Sequence, residues 1–203
     1  EAGDAENGAT IVHEGRRMGI EVLPPDINES FRNFAMVSRP GETGRIRFGL
    51  TAIKNVGEHI CEVIYQERKN NGPFGTIEQF LERVQDKDLN KKSLESLIQA
   101  GALDGFGHDR AALLANVEQF LGFAREAREQ QTTKQHSLFS GTDIAITKKI
   151  SLKPAQPASM DEKLRWEKQL LGLYVSSHPF LPYAEIFGDV LTPASDIGAA
   201  RGG

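Results

Sequence analysis

Apolar positions recur at helical spacing through most of this chain, and only the first fifty residues break that rhythm. Ile60, Val63 and Ile64 share a face after Gly57, and the run gives out at Asn70-Asn71-Gly72-Pro73. Thr76 and Gln79 have capping-box spacing for a short helix carrying Phe80, Leu81 and Val84 inward. Asn90 suits an N-cap ahead of Leu94, Leu97 and Ile98, with Gly101 just past the C-terminus. A single long helix is predicted from about Asp109 to Gln130, its stripe formed by Leu113, Val117, Phe120, Leu121 and Ala124. Ser159 with Glu162 caps another helix with Leu164, Leu171 and Tyr174 on its apolar face, closed at His178-Pro179.

The N-terminal part reads differently. A frayed helix ending near Gly19 precedes a strand-like run, Gly19 to Leu23, which Pro24-Pro25 stops because proline cannot continue a ladder. Asn33 to Arg39 and Arg45 to Leu50 alternate weakly around Pro40-Gly41-Glu42-Thr43-Gly44, a hairpin pattern with a longer loop. The predicted fold is mainly α with a small N-terminal β-hairpin, two helix–turn–helix units, a linker and a further helix. Its expected divisions are 1–50, 51–130, a polar linker at 131–158 rich in Gln, Thr, Ser, Lys and Pro, and 159–203 as the start of a truncated domain.

Composition trims the possibilities. No run of about 18 uncharged apolar residues exists to span a membrane. The single cysteine, Cys61, cannot form an internal disulfide, which fits a reducing cytoplasm. Beside Ile60 and Ile64 it reads as a buried thiol, not a nucleophile. The five histidines show no metal-ligand spacing, and Asp86, Asp88 and Asp104 read as loop acids. A net charge of −4 means that any binding to nucleic acid must use local patches or backbone N–H groups. The chain's ends suggest a piece of something longer.

Three places invite a function. Ile53-Lys54-Asn55-Val56-Gly57 forms a tight turn before a helix, whose free N–H groups suit a phosphate oxygen without reading sequence. Asn55 stands where such turns favour glycine, and asparagine tolerates the left-handed conformation. The second is Leu97 to Asp104 with Gly101 and Ala102, then Gly105, Gly107, His108 and Arg110. Lys91, Lys92 and Arg110 flank it as cations within reach of adjacent phosphates. For both turns, plain packing between helices is the alternative. The third is Gln135-His136-Ser137-Leu138-Phe139, an extended peptide whose apolar pair suits a partner's groove unless it folds back on the domain.

In these residues the chain resembles the alpha subunits of bacterial DNA polymerase III. The resemblance is carried by Arg16-Arg17-Met18-Gly19-Ile20-Glu21-Val22-Leu23-Pro24-Pro25-Asp26-Ile27-Asn28 and Arg47-Phe48-Gly49-Leu50-Thr51-Ala52-Ile53-Lys54-Asn55-Val56-Gly57. Further matches are Leu89-Asn90-Lys91-Lys92, Gly101-Ala102-Leu103-Asp104, His108-Asp109-Arg110-Ala111-Ala112-Leu113 and Leu171-Gly172-Leu173-Tyr174-Val175-Ser176-Ser177-His178-Pro179. It implies the end of the fingers followed by a tandem helix-hairpin-helix that holds primer–template duplex by its backbone. Lys54 to Gly57 would be the first hairpin and Gly101 to Arg110 the second. Gln135 would anchor a sliding-clamp (beta subunit) peptide, with Leu138 and Phe139 filling the groove. Other replicase subunits are implied as partners. The catalytic aspartates are expected upstream, so the segment should be inactive alone and hold no cofactor, while the parent polymerase needs magnesium. The corresponding segment of an error-prone relative, or a non-catalytic helical scaffold, would share these features.

Overall fold

The computed structural model describes residues 10, 12, 14–15, 17–38, 44–136 and 149–177, with side chains in the long helix described only to residue 130. Residues 10, 12, 14, 15 and 17 are helical, and Gly19 turns the chain with a positive φ of 75°. Three short strands follow: β1 (Val22–Leu23), β2 (Ala35–Val37) and β3 (Arg45–Arg47). β2 and β3 pair antiparallel with Met36 opposite Ile46, as the hairpin pattern predicted. The loop residues 39–43 lie outside the described residues. β1 pairs with β3 in parallel, Val22 opposite Ile46, so the order is β1-β3-β2.

The helices are α1 (Glu58–Asn71), α2 (Ile77–Arg83), α3 (Lys91–Gln99), α4 (Arg110–Ala115), α5 (Val117–His136) and α6 (Met160–Leu171). Local chemistry explains most of their ends. Asn90 accepts from Ser93 N–H while Ser93 Oγ accepts from Asn90 N–H, a reciprocal cap. Ser159 and Glu162 cap α6 in the same way. Thr76 does accept from Gln79 N–H, but the Gln79 side chain reaches the N–H of Gly75, so that box is not reciprocal.

The long helix expected over Asp109 to Gln130 is two helices. Asn116 interrupts it, donating from Nδ2 to the carbonyls of Ala112 and Lys153 and accepting the N–H of Lys153 on Oδ1. Helix α5 then continues to His136, into the stretch expected to be linker. Residues 149–158 are also not a loose tether. Glu78 accepts Ile150 N–H at 3.0 Å, Asn116 holds Lys153 at both backbone groups, and Asp109 accepts Ala158 N–H at 2.9 Å.

One core joins these elements. Val22, Ile27 and Phe48 from the strand region pack with Leu50, Ile60, Phe80, Leu97 and Phe120 from the helices. Polar clamps back it: Asn28 exchanges two hydrogen bonds with the backbone of Phe74, and Arg68 donates to the carbonyls of Ile27 and Ser30. Cys61 is fully buried, and burial pushes its thiol up to about 12, against the milder pull of Arg32. Among the described residues, no helix is long and apolar enough to cross a membrane.

Candidate nucleic-acid interface

The first hairpin is built from a single 3-10 turn, Leu50–Ala52, and the start of α1. Buried Ile53 and Val56 hold its loop down, and Lys54 N–H donates to the Leu170 carbonyl of α6 at 3.1 Å. Asn55 adopts φ 68°, the left-handed conformation its residue type tolerates, and its Nδ2 reaches Ser96 Oγ of α3 at 3.3 Å. The loop is thus fixed by the core, by α3 and by α6, while Lys54, Asn55 and Gly57 remain exposed. Gly57 is the N-cap of α1, and no side chain caps the first turn. Nothing lies within 4 Å of where a Gly57 Cβ would stand, so a ligand oxygen can approach the backbone closely. The acidic residue of that turn, Glu58, is held by Arg32 at 3.3 Å.

Lys92 joins this group through helix geometry. It precedes Ser96 by four residues, so it stands one turn away on the α3 face that meets Asn55, about 6 Å along the axis. Lys92 is exposed, as is Lys91, whose ammonium pairs with Glu118 at 2.6 Å.

The second hairpin departs from the sequence reading. Arg110, expected to reach a phosphate, is 3% exposed. Its guanidinium grips Asp104 through two nitrogens (3.0 and 2.7 Å), donates to the Gln99 carbonyl, and meets Glu167 at 3.2 Å. Desolvation lowers the pKa of Arg110, but its bonds to Asp104 and the charges of Asp104 and Glu167 outweigh this, and it ends raised. Gly101 and Ala102 are buried too. Gly101 has φ 85°, and a Cβ there would collide with Arg110 Nη2. These three residues form an internal joint, not a binding surface. Gly107 and His108 are exposed, but they follow the C-terminal end of α3, away from Lys91 and Lys92 at its start.

Glu167 was not foreseen as important. It is fully buried, and it accepts the N–H groups of Val175 and Ser176 and the Ser176 hydroxyl, as well as facing Arg110. The available signal was its register: Glu167 stands three residues after Leu164 and four before Leu171, on the apolar face of α6. Of the expected clamp peptide, Gln135 and His136 are the last residues of α5, so their backbone is helical and not extended. Ser137, Leu138 and Phe139 lie outside the described residues.

Residues 19–113, containing both hairpins, match the family model described as a helix-hairpin-helix motif. The chain is 44% identical over 180 residues to the DNA polymerase III subunit alpha of Thermus aquaticus, a match covering 89% of this chain. The chain belongs to the DNA polymerase III alpha-subunit family. The subunit alpha of Borreliella burgdorferi is 38% identical over 174 residues, and that of Treponema pallidum is 33% identical over 192, covering 85% and 95% of this chain. The chain spans 14%, 15% and 16% of those three alpha subunits respectively, so it corresponds to a segment of them.

Proposed function

We propose that this alpha-subunit segment holds duplex DNA by its phosphate backbone, with the first hairpin as its principal contact. The supporting observation is the start of α1, exposed at Gly57, Glu58 and His59 and without a side-chain cap at Gly57, beside exposed Lys54. Lys92 adds a second cation next to it. Contacts of this type position a protein on a duplex and carry no sequence information. Within the parent protein the segment would serve DNA-directed DNA synthesis in the cytoplasm together with other replicase subunits.

The Gln135 to Phe139 peptide is proposed as a tether to the sliding clamp. Changing Leu138 and Phe139 to Ala should abolish clamp binding with the fold intact, and equal clamp affinity would refute that assignment. Magnesium chemistry is assigned to the parent and not to this segment. Among the described residues, only His59, Asp86 and Asp88 bring potential ligand atoms within 4.8 Å of one another. One imidazole and two carboxylates do not match the all-oxygen octahedron that magnesium requires for phosphoryl transfer. Primer extension by the segment alone would contradict this.

Fluorescence anisotropy with a labelled duplex tests the main reading. With about three phosphate contacts at the first hairpin alone, affinity should fall at least about tenfold between roughly 50 and 200 mM salt. A salt-independent affinity would favour a helical scaffold instead.

A further inference from the structure

We propose that the cleft between the α2–α3 turn and helix α5 receives a second stretch of duplex backbone, next to the first hairpin. This rests on the reading of that hairpin as a phosphate site. The cleft encloses about 270 Å³. That is below the roughly 300–1,000 Å³ of sites for whole small molecules, and it suits a phosphate with part of its sugar.

Charge selects the occupant. Lys87, Lys91, Arg125 and Arg128 line the cleft against one carboxylate, Asp86, in a chain whose net charge is −4. Lys87, Arg125 and Arg128 are exposed, and Lys91 reaches Glu118. Arg125 and Arg128 are three residues apart on α5, on the same stripe as Leu121 and Ala124, which also line the cleft. Of the acidic residues on α5, Glu126 and Glu129 are each about 100° further round the helix, while Glu118 shares the stripe and is taken up by Lys91. Guanidinium pairs suit phosphate oxygens through their fork of donors, and they read no bases.

Position ties the cleft to the hairpin. Asp86 on its wall lies 3.0 Å from His59, which belongs to the first turn of α1. Asn90 and Lys91 on the same wall begin α3, whose next turn carries Ser96, the partner of Asn55. The Gly57 turn and the cleft are therefore joined through two direct contacts, His59 to Asp86 and Asn55 to α3. A surface built for an acidic peptide would have no need of this continuity.

The test compares the 203-residue chain, a K87Q/R125Q/R128Q variant and a K54Q variant by anisotropy with two labelled duplexes of unrelated sequence over a salt series, and with labelled poly-glutamate. The triple variant should bind about tenfold or more weakly, its salt slope smaller by about 2 to 3, and by equal amounts on unrelated sequences. If it unfolds by circular dichroism, R125Q alone should lower the slope by about 1. Unchanged affinity and slope in the cleft variants, with a loss in K54Q, overturns the cleft and leaves the hairpin reading standing. No duplex binding by the parent chain overturns both. Loss of poly-glutamate binding with duplex binding intact makes the cleft a peptide site and overturns the proposal.

Discussion

The two hairpins turn over in the same way, at Asn55 and Gly101, with left-handed φ of 68° and 85°. From there they diverge. The first leaves its lysine and its capping glycine in solvent and is fixed only through groups that no ligand needs: buried Ile53 and Val56, the N–H of Lys54 and the amide of Asn55. The second turns its cation inward, where Arg110 joins Asp104, Gln99 and Glu167. One motif thus yields a solvent-exposed turn in one copy and a structural joint in the other. Burial of the cation separates them, and spacing along the chain does not.

If the second hairpin is a joint, the largest effect should come from its buried partner. Glu167→Ala takes from the buried Arg110 one of its two carboxylate partners, leaving Asp104, and strands the N–H groups of Val175 and Ser176, at a cost of about 3–5 kcal/mol in denaturant unfolding. A loss below about 1 kcal/mol, the range of exposed pairs, would erase the contrast. Gly101→Ala follows, at about 2 kcal/mol, because alanine resists the left-handed region and its Cβ would strike Arg110.

Asp109 gives the comparison a pH dimension. Burial raises its carboxyl pKa, but the N–H groups of Ala158 and Ala111 and the Lys163 ammonium together hold it below the ordinary range. A carboxyl depressed in the folded state stabilises fully above its unfolded value, about 3.9, and this is lost as pH falls through the folded value. The melting temperature should therefore drop below about pH 4, and Asp109→Asn should shrink that drop while costing about 1 kcal/mol at neutral pH. An unaltered acid profile in Asp109→Asn would show that Asp109 does not tie α4 to Ala158 and Lys163. The smallest effect belongs to the first hairpin. Asn55→Gly relieves the backbone and forfeits only the bond to Ser96, so stability should change by less than about 1 kcal/mol.

Much of this was legible wherever a residue's role is set by its near neighbours. Asn90 and Ser159 cap their helices, Asn55 takes the conformation its type allows, and Cys61 is buried among the apolar residues beside it. What escaped the sequence depends on distant partners. Arg110 reads as a surface cation because, besides Asp104 six residues before it, it pairs with the buried Glu167, 57 residues away. The break at Asn116 is stabilised by Lys153, 37 residues on. The segment 149–158 has no apolar period because backbone N–H groups do most of its anchoring, and every residue but proline carries one. The β1–β3 pairing joins strands that the hairpin pattern does not connect.

The central claim is that the first hairpin, and not the second, faces DNA through its backbone. The salt dependence of duplex binding by Lys54→Glu, measured on two unrelated sequences, tests it most directly. Affinity should weaken, the slope should shrink by about 1, and the loss should be the same on both sequences, with the melting temperature unchanged. An unchanged slope, or a loss confined to one sequence, would contradict it.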